Sequence, residues 1–321
     1  MRKGKLIISL DYEKMWGVRD CQTKFSYGEN ILGVDKAIAS MINSFKEFNV
    51  NVTFAVVGFM FHKNKAEILS NYPLILPNYD NNLLSPYQFI NSEVGEDEND
   101  DPFYYGLTSL KKVLSMSNHE ICTHTYCHYY CLERGQTIDQ FESDLLKAID
   151  VASNYGVVYK SIIFPRNQCN SEYLKICAKY GILSYRGNEN RYIYRSENLL
   201  SKILRFIDSY INLTGYNCYN IVDLQKSTPI NFPSSRFLRP YSRKLSFFEN
   251  LKYLRIKKAM TFAAKNNLIF HLWWHPHNFG KNLEQNINML NKILMHYKYL
   301  NNKYGYESVT MSELSKEIID K

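Results

Sequence analysis

The segment from His119 to His128 holds three imidazoles and two thiols within ten positions. His124 and His128 are four residues apart, so a helical turn would place both rings on one face, where they could hold one divalent cation. A catalytic metal site usually has about three protein ligands and keeps a position open for water. We therefore expect a carboxylate or a third histidine from another part of the chain.

Three other segments carry polar groups that such a site could use. They are Ser9–Glu13 near the N-terminus, Phe164–Gln168 in the middle and Trp273–Asn278 near the C-terminus. In the first segment, Asp11 and Glu13 are two residues apart, so both side chains project to the same face while the chain is extended. One carboxylate could bind a metal ion while the other takes a proton from its bound water.

Each of these segments lies at the end of a run that is typical of a strand. Leu6–Leu10 precedes Asp11, Lys160–Phe164 precedes Arg166, and the apolar stretch from residue 268 to residue 274 ends at His275. In barrels of parallel strands, the catalytic residues lie at the carboxyl ends of the strands. The pattern therefore predicts that several strands bring these polar residues to one edge.

The order of elements predicts the fold class. About seven apolar runs of strand type alternate with helical patterns, without a linker or an internal repeat. We predict one α/β domain over residues 1–321, an irregular (β/α) barrel of about seven parallel strands; an open doubly wound sheet is the alternative. The proline-containing acidic stretch at about 71–105 is predicted to be an insertion or lid, or simply a solvated loop, and 188–246 has little periodicity.

Composition limits the possible partners and the compartment. The 321 residues carry 39 basic and 31 acidic side chains, a formal charge of +8 that could favour anionic partners. No nucleic-acid signature accompanies this charge, and no apolar run approaches the roughly 20 residues that span a bilayer. Seven cysteines, an odd number, without a recognisable secretion signal are typical of reduced thiols. We therefore expect a cytoplasmic protein without a transmembrane segment.

Taken in this order, the four segments resemble the polysaccharide deacetylase family, the NodB-homology enzymes of carbohydrate esterase family 4. In that family an Asp-bearing strand, an H-[ST]-x-x-H motif, an Arg-containing segment and a late histidine assemble around one metal ion. The motif is matched here by the run His124–His128, and the resemblance extends from about residue 6 to about residue 312. It implies a (β/α) barrel of the NodB-homology type.

The resemblance also implies a metal site. His124 and His128 would be metal ligands and Asp11 the general base. Family members usually have two adjacent aspartates, the second of which binds the metal, whereas here Tyr12 separates the two acids. Glu13 is accordingly the candidate for the third ligand. The ion implied is a single divalent metal, zinc in the first place, with cobalt or iron as alternatives.

The remaining roles follow from the same resemblance. Arg166 would hold the base carboxylate through its guanidinium fork, and His275, with His277 as the alternative, would protonate the leaving amine. The implied activity is metal-dependent removal of an N-acetyl or similar acyl group from an amino sugar. The substrate would be a surface polysaccharide, a glycolipid or a precursor, possibly on an anionic carrier.

Two other interpretations compete with this one. The altered Asp-Tyr-Glu segment would also fit a catalytically inactive, glycan-binding member of the family. Cys122, Cys127 and Cys131 would fit a closed structural zinc site, although their spacing is not that of a common zinc finger. We expect His119 to be buried and hydrogen-bonded rather than a metal ligand.

Overall fold

The computed structural model describes residues 3–189, 191–194, 198–224 and 228–320. Residues 1, 2, 190, 195–197, 225–227 and 321 lie outside the described residues, and those between 190 and 227 belong to the predicted irregular segment 188–246. In the described ranges the strands are β1 Lys5–Tyr12, β2 Val52–Val56, β3 His119–Thr123, β4 Ser161–Ile162, β5 Ser184–Tyr185, β6 Ile230–Asn231, β7 Arg236–Phe237, β8 Ile269–Trp274 and β9 Glu307–Ser308.

Helices connect these strands and cover the sheet. They are α1 Lys24–Leu32, α2 Val34–Phe48, α3 Lys65–Ser70, α4 Tyr87–Glu93, α5 Leu107–Leu114, α6 Ile138–Ser153, α7 Ser171–Lys179, α8 Leu199–Asp208, α9 Glu249–Lys265, α10 His277–Gly280, α11 Leu283–Tyr304 and α12 Met311–Ile319. Over the described residues, no helix is both long enough and apolar enough to cross a membrane.

All nine strands of the described chain form one parallel sheet in the order β6-β5-β4-β3-β2-β1-β8-β7, with β9 paired to β1. The strands proceed in sequence from β1 to β6, and β8 and β7 then join the other side of β1. This winding is that of a barrel rather than of a doubly wound sheet. The fold is thus a half-barrel of parallel strands, and β6 and β7 are short additions within the segment predicted to be irregular.

Alternation along β1 explains how the sheet presents polar groups. Leu6, Ile8 and Leu10 belong to the main apolar core, whereas Ile7 belongs to a second, smaller cluster. Side chains alternate between the two faces of a strand, so Asp11, four residues after Ile7, lies on the same face as Ile7. The interior of the half-barrel is therefore apolar at one end and polar at the carboxyl end of β1.

The segment 71–105, all of which the structure describes, is packed against the domain. Tyr87, Ile90, Tyr104 and Tyr105 are buried in the main core, and the carbonyl of Tyr104 accepts a 2.7 Å hydrogen bond from Nε1 of Trp16. It is therefore not simply a solvated loop, and none of its residues lines the cavity described below. Its role as a lid stays a prediction.

Candidate active site

Both acids at the end of β1 reach the interior of the half-barrel. Asp11 is the penultimate residue of β1 and Glu13 directly follows the strand, and both are 3 % exposed. Tyr12 points to the other side, where its hydroxyl donates a 2.7 Å hydrogen bond to the carbonyl of Gly106. A side chain at Gly17 would overlap the Glu13 carboxylate, so this glycine leaves the space that the carboxylate occupies.

A loop, not a helix, brings His124 and His128 together. The two residues follow β3, and His128 has a left-handed backbone conformation with φ of 62°. The Asp144 carboxylate supports the loop by accepting hydrogen bonds from the amides of Tyr126 and Cys127 at 2.7 and 3.1 Å. The pair therefore does not depend on a helical turn, since the loop places the two ring centroids 5.1 Å apart.

Glu13 and the two histidines converge on one point. Oε2 of Glu13 lies 3.1 Å from Nε2 of His124 and 3.0 Å from Nε2 of His128. Nδ1 of His124 is 2.7 Å from the carbonyl of Ile163, and because a carbonyl only accepts, Nδ1 carries the proton of the neutral ring. Nε2 of His124 faces the Glu13 carboxylate, where either a proton on Nε2 or a cation between the two atoms would balance the contact.

The directions of the pKa shifts of Glu13 and His128 suit metal ligands. Burial opposes ionisation of Glu13, but the imidazoles of His275, His124 and His128 hold its pKa well below the usual range. Burial lowers the pKa of His128, although Glu13 acts in the opposite direction. An ionised carboxylate and neutral imidazoles are the forms that bind a divalent ion, and the three ligand atoms lie within 4.8 Å of one another. The residues present therefore fit such an ion.

Asp11 is held by Arg186, a residue that the sequence analysis did not select. Nη1 and Nη2 of Arg186 donate to the two oxygens of Asp11 at 2.8 and 2.6 Å, and the other three N–H groups donate to Ser9 at 3.0 Å and to Asn167 at 3.1 and 2.9 Å. The guanidinium carbon also lies 4.1 Å from the Trp273 ring centroid. Burial alone would raise the pKa of Asp11, but Arg186 and, to a smaller degree, His124 lower it.

Arg166 does not make the contact with Asp11 that we predicted. Its guanidinium pairs with Asp20 and lies 4.5 Å from the ring centroid of Tyr130. Arg166 has a left-handed conformation with φ of 54° directly after Pro165, which turns its side chain away from the carboxylates towards the mouth of the cavity. The prediction that Arg166 holds the base is wrong, because Arg186, at the carboxyl end of β5, occupies that place.

His275 faces the two acids from the end of β8. Its Nε2 lies 3.7 Å from Oδ2 of Asp11 and 3.5 Å from Oε1 of Glu13. Nδ1 is 3.3 Å from the amide oxygen of Asn278, which can only accept and so fixes the orientation of the ring. His277 stacks on His275 with centroids 4.8 Å apart, and burial lowers its pKa to about 3.

These residues line one open cavity. Its volume is about 460 Å³, and its lining includes Asp11, Glu13, His124, His128, His275 and Arg166. Phe237 and Trp273, with ring centroids 4.8 Å apart, form an aromatic part of the wall. Of the six predicted site residues, the structure thus places two carboxylates and three histidines together and leaves Arg166 at the rim.

The cysteine-based alternative has little support in the described residues, where neither of the two clusters of potential metal ligands includes a thiol. Burial raises the pKa of Cys122, Cys127 and Cys131 well above the usual range, which disfavours the thiolate form that binds zinc. His119 begins β3 and accepts a 3.3 Å hydrogen bond from the amide of Val52. It lies outside the cavity lining.

Comparison with known proteins supports the fold. No family model and no curated protein matches the chain. Among solved structures, a candidate polysaccharide deacetylase from Mycobacterium smegmatis is 13 % identical with a TM-score of 0.63, covering 99 % of this chain and 90 % of the other. A second candidate polysaccharide deacetylase, from Pseudomonas aeruginosa, is 10 % identical with a TM-score of 0.57. The allantoinase Puue is 9 % identical with a TM-score of 0.56. Each of these two matches covers 97 % of this chain and 89 % of the other chain. The chain therefore has the NodB-homology fold of polysaccharide deacetylases, as the resemblance implied.

Proposed function

We propose that this protein is a metal-dependent hydrolase that removes an N-acetyl or similar acyl group from an amino sugar. The observation that carries the proposal is the convergence of Glu13, His124 and His128 beside a carboxylate that Arg186 holds ionised. The fold of polysaccharide deacetylases gives independent support. The substrate is proposed to be a surface polysaccharide, a glycolipid or a precursor of either.

Glu13, His124 and His128 would hold the divalent ion. When bound, such an ion supplies a Lewis acid that polarises the acyl carbonyl and acidifies water. Two nitrogen ligands and one carboxylate oxygen suit zinc, and also cobalt or iron. The hydrogen bond from Nδ1 of His124 to Ile163 orients that ring and directs Nε2 into the cluster.

Asp11 is the proposed general base. Arg186 binds both oxygens of Asp11 from one side, so the carboxylate remains ionised and keeps a fixed orientation while it accepts a proton from the attacking water. The ion pair itself is buried, with Arg186 1 % exposed. A carboxylate that is both ionised and immobile avoids the reorganisation that a flexible base would require.

His275 is the proposed general acid. An amide nitrogen leaves only after protonation, so the reaction needs an acid on the leaving-group side. Nε2 of His275 faces the two carboxylates while Nδ1 is held by Asn278. The neighbouring His277 is a weaker candidate, because burial keeps it neutral with a pKa of about 3.

The inactive, glycan-binding alternative rested on Tyr12 between the two acids. In the structure Tyr12 is directed into the core and leaves Asp11 and Glu13 facing the same cavity. This arrangement favours an active hydrolase. We further propose a cytoplasmic location, since seven free cysteines suit a reducing compartment.

Metal content and turnover test the proposal together. Wild-type protein should hold about one equivalent of a divalent metal and release acetate from N-acetylglucosamine oligomers, whereas His124→Ala and His128→Ala should lose both properties. Cys127→Ser is the matched control on the same loop and should keep the metal. Metal binding without turnover on any acylated amino sugar would favour the glycan-binding alternative, and a metal lost only in Cys127→Ser would move the site to the cysteines.

A further inference from the structure

A second cleft opens directly beside the active-site cavity. Its volume is about 430 Å³, and it shares Arg166, Asn167, Phe237, Trp273 and His275 with that cavity. The two spaces are therefore continuous along the aromatic wall. A substrate whose acyl group lies at the carboxylates could extend past Phe237 into this second space.

Cationic side chains outnumber carboxylates in the lining of this basic cleft, although Arg166 pairs with Asp20 and Arg236 with Asp208. The lining contains five cations, Arg166, Lys202, Arg205, Arg236 and Arg239, and a single carboxylate, Glu189. Glu189 is buried and accepts a 2.7 Å hydrogen bond from Asn217. Burial raises the pKa of Glu189 to about 7, so near neutral pH this carboxylate carries only part of a full negative charge. The cleft therefore suits an anionic group.

Arg236 provides a buried donor in the wall of the basic cleft. Nη1 donates to Oδ2 of Asp208 at 2.6 Å, while Nη2 is buried and has no hydrogen-bond partner among the described residues. Arg236 is only 3 % exposed, and an unpaired buried N–H group is costly. Arg239, whose Nε donates to Ser209 at 2.7 Å, lies nearby. Planar guanidinium groups of this kind match the oxygens of a phosphate.

Helix α8, which forms one wall of the basic cleft, has its apolar side turned outward. Positions i, i+1, i+4, i+7 and i+8 lie along one helical face, and the apolar residues at these positions are between 36 and 74 % exposed. We call this face the α8 stripe; it consists of Leu199, Leu200, Ile203, Phe206 and Ile207. The opposite side, with Ser201 and Asp208, is buried. An ordinary surface helix would bury the apolar side.

The apolar surface continues beyond the helix. Phe206 contacts Tyr210 with ring centroids 5.4 Å apart, and Tyr210 contacts Phe248 at 6.1 Å. Phe248 is 48 % exposed and its neighbour Phe247 is 92 % exposed. Lys202 lies on the edge of the stripe and also lines the basic cleft. Apolar residues bordered by cations are the pattern of a helix that lies in the interface of an anionic bilayer.

We infer that the acylated amino sugar is carried on a membrane lipid through a phosphate group. The α8 stripe lies in the headgroup region of an anionic bilayer, the basic cleft binds the phosphate, and the sugar passes Phe237 to the carboxylates. A second copy of the chain is a poorer occupant of the stripe, since it would bring the same cations against each other. The part of the inference that concerns the sugar rests on the proposed function, whereas the binding of phosphate and of the membrane does not depend on it.

Vesicle binding tests the α8 stripe without any catalysis. Wild-type protein should co-sediment with vesicles of phosphatidylcholine and phosphatidylglycerol and much less with phosphatidylcholine alone. Replacing Leu199, Leu200 and Ile203 by serine should weaken the partition by about tenfold or more, because three exposed apolar side chains are lost. The matched control replaces three exposed apolar residues elsewhere on the surface by serine, namely Leu74, Leu132 and Val158, and should bind like the wild type.

Calorimetry with pyrophosphate and with acetate tests the basic cleft. Pyrophosphate should bind far more tightly than acetate, and the double variant Lys202→Gln with Arg239→Gln should weaken it by about tenfold or more, as loss of charge-assisted hydrogen bonds predicts. The control Lys112→Gln with Arg134→Gln removes the same charge outside the cleft and should have little effect. Equal loss in both variants, or equal binding of acetate, would overturn the phosphate site.

Two further results separate the possible outcomes. A wild-type dimer that becomes monomeric when the α8 stripe is changed to serine would assign the stripe to self-association and refute the membrane surface. On a long-chain alkyl phosphodiester of N-acetylglucosamine in vesicles, the stripe variant should lose turnover while turnover of soluble oligomers is unchanged. Normal vesicle and pyrophosphate binding with no hydrolysis of any acylated sugar would refute only the proposed hydrolase.

Discussion

Replacing Arg186 by lysine tests whether Arg186, and not Arg166 as the resemblance implied, holds the proposed base Asp11. Arg186 uses all five of its N–H groups, two of them on Asp11. Lysine has three N–H groups on one nitrogen and cannot donate to both carboxylate oxygens in the same planar geometry. The charge is kept while the orientation of the base is lost.

The structure sets the expected magnitude of this change. The five N–H groups of Arg186 reach four acceptor oxygens on Asp11, Ser9 and Asn167. A lysine leaves at least one of these oxygens without its donor, at roughly 1–3 kcal/mol, so unfolding should become easier by about 1–3 kcal/mol or more. A positioned general base contributes roughly 10²–10⁴-fold to a rate, and we expect kcat/KM to fall by about 10²-fold or more. The loss should be mainly in kcat, because the guanidinium acts through the base.

Arg166→Lys is the matched control. Arg166 pairs with Asp20 at the rim and its side chain is 36 % exposed, so its loss should change stability by no more than about 1 kcal/mol and kcat/KM by only a few-fold. Acetate release from N-acetylglucosamine oligomers and urea unfolding of both variants give the comparison. If Arg166→Lys abolishes turnover while Arg186→Lys remains active and as stable as the wild type, the assignment of Arg186 is refuted.

Five other substitutions have defined expectations. Glu13→Gln should weaken metal binding by at least about 100-fold, since even removing a hydrogen-bond partner of a metal ligand costs roughly 10–100-fold in affinity. Gly17→Ala should also weaken metal binding, because the added methyl group displaces the Glu13 carboxylate. Equilibrium dialysis with zinc measures both effects. His275→Asn should lower kcat by about 10²-fold or more with little change in KM, and His277→Asn by less than about tenfold, in steady-state assays. Burial lowers the pKa of His62 from 6.5 to about 4, so the unfolded chain takes up a proton at a higher pH than the folded chain. The free energy of unfolding should therefore drop by about 3 kcal/mol between pH 6.5 and 4. Urea unfolding of His62→Gln should show a smaller drop over the same range.

The sequence predicted the parts of the site that depend on local pattern. A continuous apolar run identified β1, and the alternation of side chains along it placed Asp11 and Glu13 on one face. The spacing of His124 and His128 identified a pair of rings, although a loop supported by Asp144 brings them together. The carboxyl ends of strands, not helical periodicity, were the reliable signal.

The partner of Asp11 could not be read from a motif, because the contact depends on strand order. Arg186 follows β5, which is separated from β1 by three strands of the sheet, and its side chain crosses the interior of the half-barrel. A signal was nevertheless present, since Arg186 directly follows the short apolar run from residue 182 to residue 185, much as His275 follows the run that ends at residue 274. Arg166 had the same signal, and only its left-handed backbone, invisible in the sequence, turns it away.

The orientation of α8 was equally hidden. The helix itself was missed, because the segment 188–246 was predicted to be irregular, and an amphipathic pattern would in any case give the period of a helix but not which side faces the protein. The buried pair of Asp208 and Arg236 fixes the polar side inward, and neither residue indicates the other in the sequence. The strands β6 and β7 contain two residues each, too few for any periodic pattern to predict.

Tyr12 and Glu13 together explain how a departure from the family pattern can preserve a site. Adjacent residues in an extended strand point to opposite faces, so a second acid directly after Asp11 would need a break in the strand to reach the interior. In this chain β1 continues through Tyr12, whose ring enters the core, and the next residue returns to the interior. Glu13 there spans from His275 on one oxygen to His124 and His128 on the other. With Tyr12 between the two acids, Glu13 thus lies in the same cavity as Asp11, which is a reason to expect that the Asp-Tyr-Glu segment binds a metal ion.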